Sequence, residues 1–166
     1  MWLHAQQGRL LYVSGLLHKA ASGVRRTLYR SRPGKWKWQP RLFVVDLTGD
    51  TPQLRYKGHY EPPRNAWPHE PWAAADKVLA DLGSQASADV APSGGVSAVV
   101  ARRLDPRDCG GYMPGQRLQV WAAGKGGADG RWVDLRADST AECEAWLHVL
   151  LELPRARSRS VTEASE

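Results

Sequence analysis

The sequence predicts a mainly β domain that ends in a single α-helix, and three observations lead to this prediction. Several segments alternate apolar and polar residues with a period of two, which is typical of half-buried strands. Only residues 139–153 combine a helix start, one apolar face and a stop. The chain of 166 residues is long enough for one hydrophobic core but not for two.

The first three predicted strands cover residues 11–19, 36–47 and 53–57 and are expected to pair as an antiparallel meander. The centre of the second strand is rich in β-favouring Phe and Val, and turn-forming residues follow it. Residues 1–10 show no such period, so they are interpreted as an N-terminal extension.

The period of two decides which side chains share a face of the second strand. If Phe43 and Val45 face the core, then Gln39 and Arg41 lie on the same side. Pro40 cannot donate a hydrogen bond to a neighbouring strand, which indicates an edge position or a bulge there.

Residues 59–95 interrupt the strand pattern with prolines and with a Ser-, Ala- and Gly-rich end. This composition is typical of a long insertion outside the sheet. Within it, residues 72–82 carry apolar residues at roughly helical spacing and are followed by Gly83, which predicts a short surface helix.

Strand-like segments resume over residues 96–104, 117–122 and 131–137, for a total of six or seven strands before the helix. Ser139 and Glu142 then have the spacing of a capping box. In this motif the Ser hydroxyl accepts from the third helical N–H and the Glu side chain reaches back to the cap.

The predicted helix presents one apolar stripe to the sheet, formed by Cys143, Trp146, Leu147, Leu150 and Leu151. Pro154 is expected to end the helix, because proline lacks the N–H that the helix needs. Residues 154–166, with alternating Arg and Ser, are expected to form a disordered basic and polar tail.

The formal charge of +6 and the pI of about 9.6 favour an anionic partner. Positive charge is concentrated between the first two strands, in a segment without acidic residues. An anionic lipid leaflet attracts each Lys or Arg near its surface by about 1 kcal/mol. This basic loop is therefore interpreted as membrane-facing through Arg25, Arg26, Arg30, Arg32, Lys35 and Lys37.

The sequence indicates no catalytic, metal or cofactor site. The five His residues show no metal-ligand spacing with Cys or carboxylates. Cys109 and Cys143 also lack such spacing and are interpreted as reduced thiols, which favours a cytoplasmic location. No apolar run reaches the roughly 18–20 residues of a membrane span, so any membrane contact is expected to be peripheral.

Three motifs make the chain similar to the pleckstrin homology (PH) domain family over residues 11–153. Residues 15–19 (GLLHK) resemble the family's first strand, and residues 38–45 (WQPRLFVV) resemble its second strand. Residues 131–151 resemble its last strand and helix, including an acidic cap and the position of Trp146. The resemblance implies a seven-stranded, partly open barrel of two nearly orthogonal antiparallel sheets. It also implies that the C-terminal helix caps the barrel, with the insertion after the third strand.

The same resemblance implies a site for phospholipid headgroups. Members that bind phosphoinositides use a Lys at the end of the first strand and two alternating basic residues on the second. Lys19 and Arg41 match two of these positions, Gln39 occupies the other, and Tyr56 matches a third-strand Tyr that contacts a phosphate. The expected function is a non-enzymatic module that binds anionic phospholipids, including phosphoinositides, at membranes.

Two other functions stay open. The first is a protein–protein interaction scaffold of the same fold without specific lipid binding, which the missing charge at Gln39 favours. The second is nucleic-acid binding, since an Arg-rich loop with Tyr29, Trp36 and Trp38 has groups that neutralise phosphates and stack on bases. Of the three ligands, which are anionic phospholipid, a protein partner and nucleic acid, nucleic acid has the least support.

Overall fold

The computed structural model describes residues 1–20, 38–58, 71–82, 101–104, 107, 113, 115–122 and 130–163. Within these residues the chain forms eight β-strands, all in one sheet, and two α-helices. In chain order the elements are β1 (Trp2–Gln6), β2 (Arg9–Ala20), β3 (Trp38–Asp46), β4 (Gln53–Tyr56), α1 (Pro71–Ala74), β5 (Lys77–Asp81), β6 (Ala101–Arg103), β7 (Arg117–Ala122), β8 (Arg131–Arg136) and α2 (Thr140–Glu163). The prediction of a mainly β domain with a C-terminal helix is confirmed.

The sheet is antiparallel, and its two halves meet at strand β2. The strand order is β5-β4-β3-β2-β8-β7-β6, and β1 also pairs with β2. Strand β3 pairs with β2 from Tyr12 to Ala20, whereas β8 pairs with it only at His18 and Lys19. Among the described residues, the two end strands β5 and β6 do not pair with each other, but β5 lies against β7. The predicted meander of three strands is confirmed as β2, β3 and β4.

The main core lies between the two halves of the sheet and one face of α2. Phe43 and Val45 are fully buried in it, as the period of two predicts. Leu42 and Val44, on the opposite face of β3, are fully buried in a second, smaller cluster. Burial on both faces accounts for the unbroken apolar run at the centre of β3.

Helix α1 covers this second cluster on the outer face of β2 and β3. Ala75 is fully buried there, and Trp72 packs beside it. The Trp72 ring stacks on Tyr12, with centroids 5.0 Å apart and planes 6° apart, and its centroid lies 4.2 Å from that of His4. These aromatic contacts hold the segment after β4 against the sheet.

The prediction that residues 59–95 lie outside the sheet is wrong for their described part. The helix is limited to Pro71–Ala74, and Lys77–Asp81 forms β5, which pairs with β4. Ala80 and Leu82 enter the main core. Pairing with β5 satisfies the backbone N–H and C=O groups on the open side of β4, and this outweighs a weak helical spacing.

The prediction of an N-terminal extension over residues 1–10 is also wrong, because Trp2–Gln6 forms a hairpin with the start of β2. Gln7 and Gly8 make the turn, with φ of 51° and 76°. Positive φ at both central residues is the signature of a type I′ turn. Gln at the first of them is less common than Asn or Asp, so the sequence signal for the hairpin is weak.

The start of α2 agrees with the predicted capping box except for one partner. Ser139 Oγ accepts a hydrogen bond from the Glu142 N–H at 3.1 Å, as predicted. The Glu142 carboxylate accepts from the Asp138 N–H at 3.2 Å, one residue before the cap. The stripe faces the core through Cys143, Trp146, Leu147 and Leu150, which are buried, and Leu151, which is half-buried.

The prediction that Pro154 ends the helix and begins a disordered tail is wrong, because α2 continues to Glu163. A proline removes one intrahelical hydrogen bond, the one its own nitrogen would donate to the carbonyl of residue 150, at a cost of about 3 kcal/mol. The residues that follow include no Gly and carry Arg and Ala, which have high helix propensity.

Candidate functional site

The three predicted headgroup residues lie on the core-facing side of three adjacent strands. Lys19 follows Leu17 on that side of β2, Arg41 precedes Phe43 on β3, and Tyr56 belongs to β4. Lys19, Arg41 and Tyr56 are each half-buried. The structure therefore brings the predicted residues together at the end of the sheet where the fully buried core stops.

Lys19 and Tyr56 face each other in this site. Lys19 Nζ lies 5.7 Å from the centroid of the Tyr56 ring, within the roughly 6 Å at which an ammonium group is attracted to an aromatic face. Phe43 stacks against Tyr56 with ring centroids 5.7 Å apart, which sets the orientation of the phenol. Lys19 and Tyr56 thus offer an anion one positive charge and one hydroxyl group.

Arg41 is held at the end of β3 by its own strand. Its Nη2 donates to Gln39 Oε1 at 2.5 Å, and its Nη1 donates to the Pro40 carbonyl at 3.0 Å. Lys19 is the residue directly opposite Gln39. The uncharged Gln39 therefore sits between the two cations and positions one of them. Pro40 precedes the β4 ladder, which begins at Phe43, so this part of β3 is an edge on that side, as predicted.

The predicted membrane-facing residues lie outside the described part of the chain. These are Arg25, Arg26, Arg30, Arg32, Lys35 and Lys37. The strand ends that flank them are described, because Ala20 of β2 pairs with Trp38 of β3. These strand ends, Ala20 and Trp38, are adjacent in sequence to Lys19 and Gln39, respectively.

Lys77 lies beside Tyr56, one of the predicted headgroup residues, although the sequence predicts a surface helix over residues 72–82. It is the first residue of β5 and pairs directly with Tyr56. Its exposed side chain runs over Gly58, where Lys77 Cδ lies 3.0 Å from the position that a Cβ at Gly58 would take. Val78 favours a strand, whereas Ala80 does not, so the sequence signal for β5 is weak.

A second group of cations lies on the outer face of the sheet. Arg117 and Arg136 are directly opposite each other on β7 and β8, and their guanidinium carbons lie 5.5 and 5.6 Å from the Trp38 ring centroid. The Asp138 carboxylate lies 3.9 Å from Arg136 and 2.8 Å from His18 Nε2. Trp38 and Asp138 offset the repulsion of the opposed guanidiniums, so this cluster ties β2 and β3 to β7 and β8.

No group of His, Cys, Asp or Glu side chains in the described ranges has the geometry of a metal site. Burial raises the pKa of the Cys143 thiol, which keeps it protonated and unreactive. None of the helices in the described part of the chain is long and apolar enough to cross a membrane.

Comparison with known proteins gives no identification. No protein-family model matches the chain, and no curated protein matches it at a significant level. Function is therefore inferred from the fold and the site.

Proposed function

We propose that the protein is a PH-like domain that binds anionic phospholipids, including phosphoinositides, at the surface of a membrane. The observation that carries the proposal is the convergence of Lys19, Arg41 and Tyr56, from three strands, beside the ends of the basic loop. In the PH-family members that bind phosphoinositides, the corresponding positions contact the phosphates of a headgroup.

The strand order supports the fold that the proposal needs. Apart from β1, the described residues form seven strands of the sheet, in a meander of four (β2 to β5) and a meander of three (β6 to β8). The first and last of the seven pair with each other, β5 approaches β7 across the core, and the helix follows β8. This connectivity supports a partly open, seven-stranded barrel with a C-terminal helix as the proposed fold.

The charge of the site decides the kind of binding that the proposal predicts. Because Gln39 is uncharged, Arg41 is the cation that β3 supplies to the site. The site therefore binds an anion less strongly than one with two basic residues on this strand. Attraction of the basic loop to the leaflet then supplies much of the affinity, at about 1 kcal/mol per cation near the surface. We propose diffuse binding with a modest preference for phosphoinositides. Because anionic lipids are concentrated in the cytoplasmic leaflet, the proposed location is peripheral and cytoplasmic.

Co-sedimentation with liposomes tests the proposal. The full chain is mixed with vesicles of phosphatidylcholine alone, or with added phosphatidylserine or phosphoinositide, at two salt concentrations. Binding is expected to both anionic vesicles and to fall with salt, because exposed charges are screened beyond about 8–10 Å. Gln39→Lys is expected to strengthen phosphoinositide binding more than phosphatidylserine binding.

The matched control is Arg9→Ala, which removes one exposed cation at the other end of β2. Arg9 and Lys19 are ten residues apart, or about 33 Å along the strand. Arg9→Ala is expected to leave binding unchanged, whereas Lys19→Ala and Arg41→Ala weaken it. Equal binding to neutral and anionic vesicles would overturn the lipid function and favour a protein-interaction scaffold.

A further inference from the structure

The proposed function uses side chains on the core-facing side of three neighbouring strands. Lys19, Arg41 and Tyr56 belong to β2, β3 and β4. The next strand is β5, whose first residue, Lys77, is directly opposite Tyr56. Side chains of directly opposed residues project from the same face of a sheet. Lys77 therefore starts on the same face as the site.

Gly58 lets the Lys77 side chain extend along that face toward β3. The Lys57 N–H donates to the Leu42 carbonyl at 3.0 Å, which continues the β3–β4 register beyond Phe43 and Tyr56. The next opposed pair in this register is Arg41 and Gly58. Lys77 Nζ and Cε occupy the space above Gly58 that a side chain would fill. Opposed Cβ positions are about 4.5–5.5 Å apart, which places the Lys77 ammonium near Arg41 Cβ, at the base of the Arg41 side chain.

Within the described part of the chain, no carboxylate neutralises Arg41 or Lys77. The Arg41 guanidinium donates to two uncharged oxygens. By contrast, Arg55, on the same strand as Tyr56, pairs with Asp46 at 3.3 Å, and Arg103 pairs with Glu144. Two neighbouring cations without a counter-charge attract an anion more strongly than either does alone.

We propose that Lys77 is a further headgroup-binding residue, which supplies from β5 the positive charge that Gln39 lacks on β3. Gly58 keeps the path of its side chain open. The inference rests on the proposed function. The ligand class that it favours is an inositol headgroup with two phosphates. One phosphate would contact Lys19 and Tyr56, and the other would contact Arg41 and Lys77. A phosphatidylserine headgroup has no phosphomonoester, and its own ammonium group offsets the charge of its carboxylate, so it is expected to engage the two pairs less strongly.

The test compares variants of the full chain on three ligands. These are vesicles with phosphatidylinositol bisphosphate, vesicles with phosphatidylserine, and soluble inositol bisphosphate measured by calorimetry. Lys77→Ala is expected to weaken binding to the bisphosphate vesicles and to the soluble headgroup about fivefold. On phosphatidylserine vesicles the loss is expected to be smaller than on the bisphosphate vesicles, and at most the roughly fivefold that one diffusely attracted cation contributes. Lys77→Arg keeps the charge and is expected to stay within twofold of the native protein.

Gly58→Val tests the position of the Lys77 ammonium group separately from its charge, because this variant leaves the net charge unchanged. A branched side chain at residue 58 fills the space of Lys77 Cε and Nζ and displaces the ammonium group. Gly58→Val is therefore expected to reproduce the loss of Lys77→Ala on the bisphosphate ligands and to spare phosphatidylserine. A thermal melt checks that Gly58→Val is folded. Lys77→Ala and Lys77→Arg change an exposed side chain, so they test the proposal even if Gly58→Val does not fold.

Different outcomes separate the inference from the function on which it rests. If Lys77→Ala has no more effect than Arg9→Ala while Lys19→Ala still weakens binding, the role of Lys77 is overturned and the lipid function stands. If the native protein ignores anionic vesicles but binds soluble inositol bisphosphate through Lys77, the site is supported and the membrane function is overturned. Absence of binding to all three ligands overturns both.

Discussion

The contact between Gly15 and Trp146 supports a quantitative prediction about how the helix is held on the sheet. Trp146 is fully buried on the stripe of α2, and Gly15 is buried at the centre of β2. A Cβ at residue 15 would lie 2.9 Å from Cζ2 of the Trp146 indole. This separation is shorter than a van der Waals contact between carbon atoms, for which about 3.5–4.0 Å is optimal. Gly15→Ala therefore forces the indole or the strand to move.

The expected cost of Gly15→Ala is about 1–3 kcal/mol, the range for overpacking a well-packed core. Trp146→Ala removes the indole and is expected to cost about 3–5 kcal/mol. In the Trp146→Ala background the new Cβ meets no indole. There, Gly15→Ala is expected to be neutral or to stabilise by about 0.5–1 kcal/mol, because alanine is favoured over glycine inside a strand. The two changes are thus expected to be coupled by about 1–4 kcal/mol.

Urea unfolding of the four proteins in this double-mutant cycle measures the coupling, and thermal melts give a second estimate. A loss of 2 kcal/mol corresponds to roughly 4–8 °C in Tm for a domain of this size. Gly49→Ala is the control, because a Cβ at Gly49 meets its nearest atom, the Thr51 carbonyl oxygen, at an ordinary 3.7 Å. An equal effect of Gly15→Ala with and without the indole would refute the proposed contact.

Three further predictions concern local structure. Ser139→Ala is expected to lower the free energy of unfolding by about 1 kcal/mol through loss of the helix cap, and a denaturant titration would show no change if the cap were unimportant. Burial alone would raise the pKa of Asp46, but hydrogen bonds from Thr48 and Arg55 outweigh it and hold that pKa below its ordinary 3.8. The ionised carboxylate therefore stabilises the fold above about pH 4, and this contribution is lost as the pH falls through the lowered pKa. The stability gap between the native protein and Asp46→Asn should shrink over that acidic range, and a constant gap would contradict this origin. Deletion of residues 71–82 should abolish cooperative unfolding, as followed by circular dichroism, because β5 contributes to the core. A sharp unfolding transition in the deletion variant would show that the core forms without β5.

Several parts of the fold were predictable because neighbouring residues in the sequence determine them. The faces of β2, β3 and β4 follow from a period of two, and Phe43 and Val45 are buried as that period requires. The cap at Ser139 depends on residues three positions apart, so its hydrogen bond was predictable as well. The same alternation placed Lys19 and Arg41 on one side of the sheet.

Only the tertiary structure decided which segments complete the sheet and the site. Lys77–Asp81 is a strand because β4 offers it an open edge, and Trp2–Gln6 is a strand because β2 does the same. These pairings join residues that are distant in sequence or linked by an unusual turn, and local propensity carries no record of such partners. The sequence thus determined the amphipathic strands, the capped helix and two cations of the candidate site. The tertiary structure brought Lys77 beside Tyr56 and over Gly58, because an ammonium group on a neighbouring strand becomes a neighbour in space only once the strands pair.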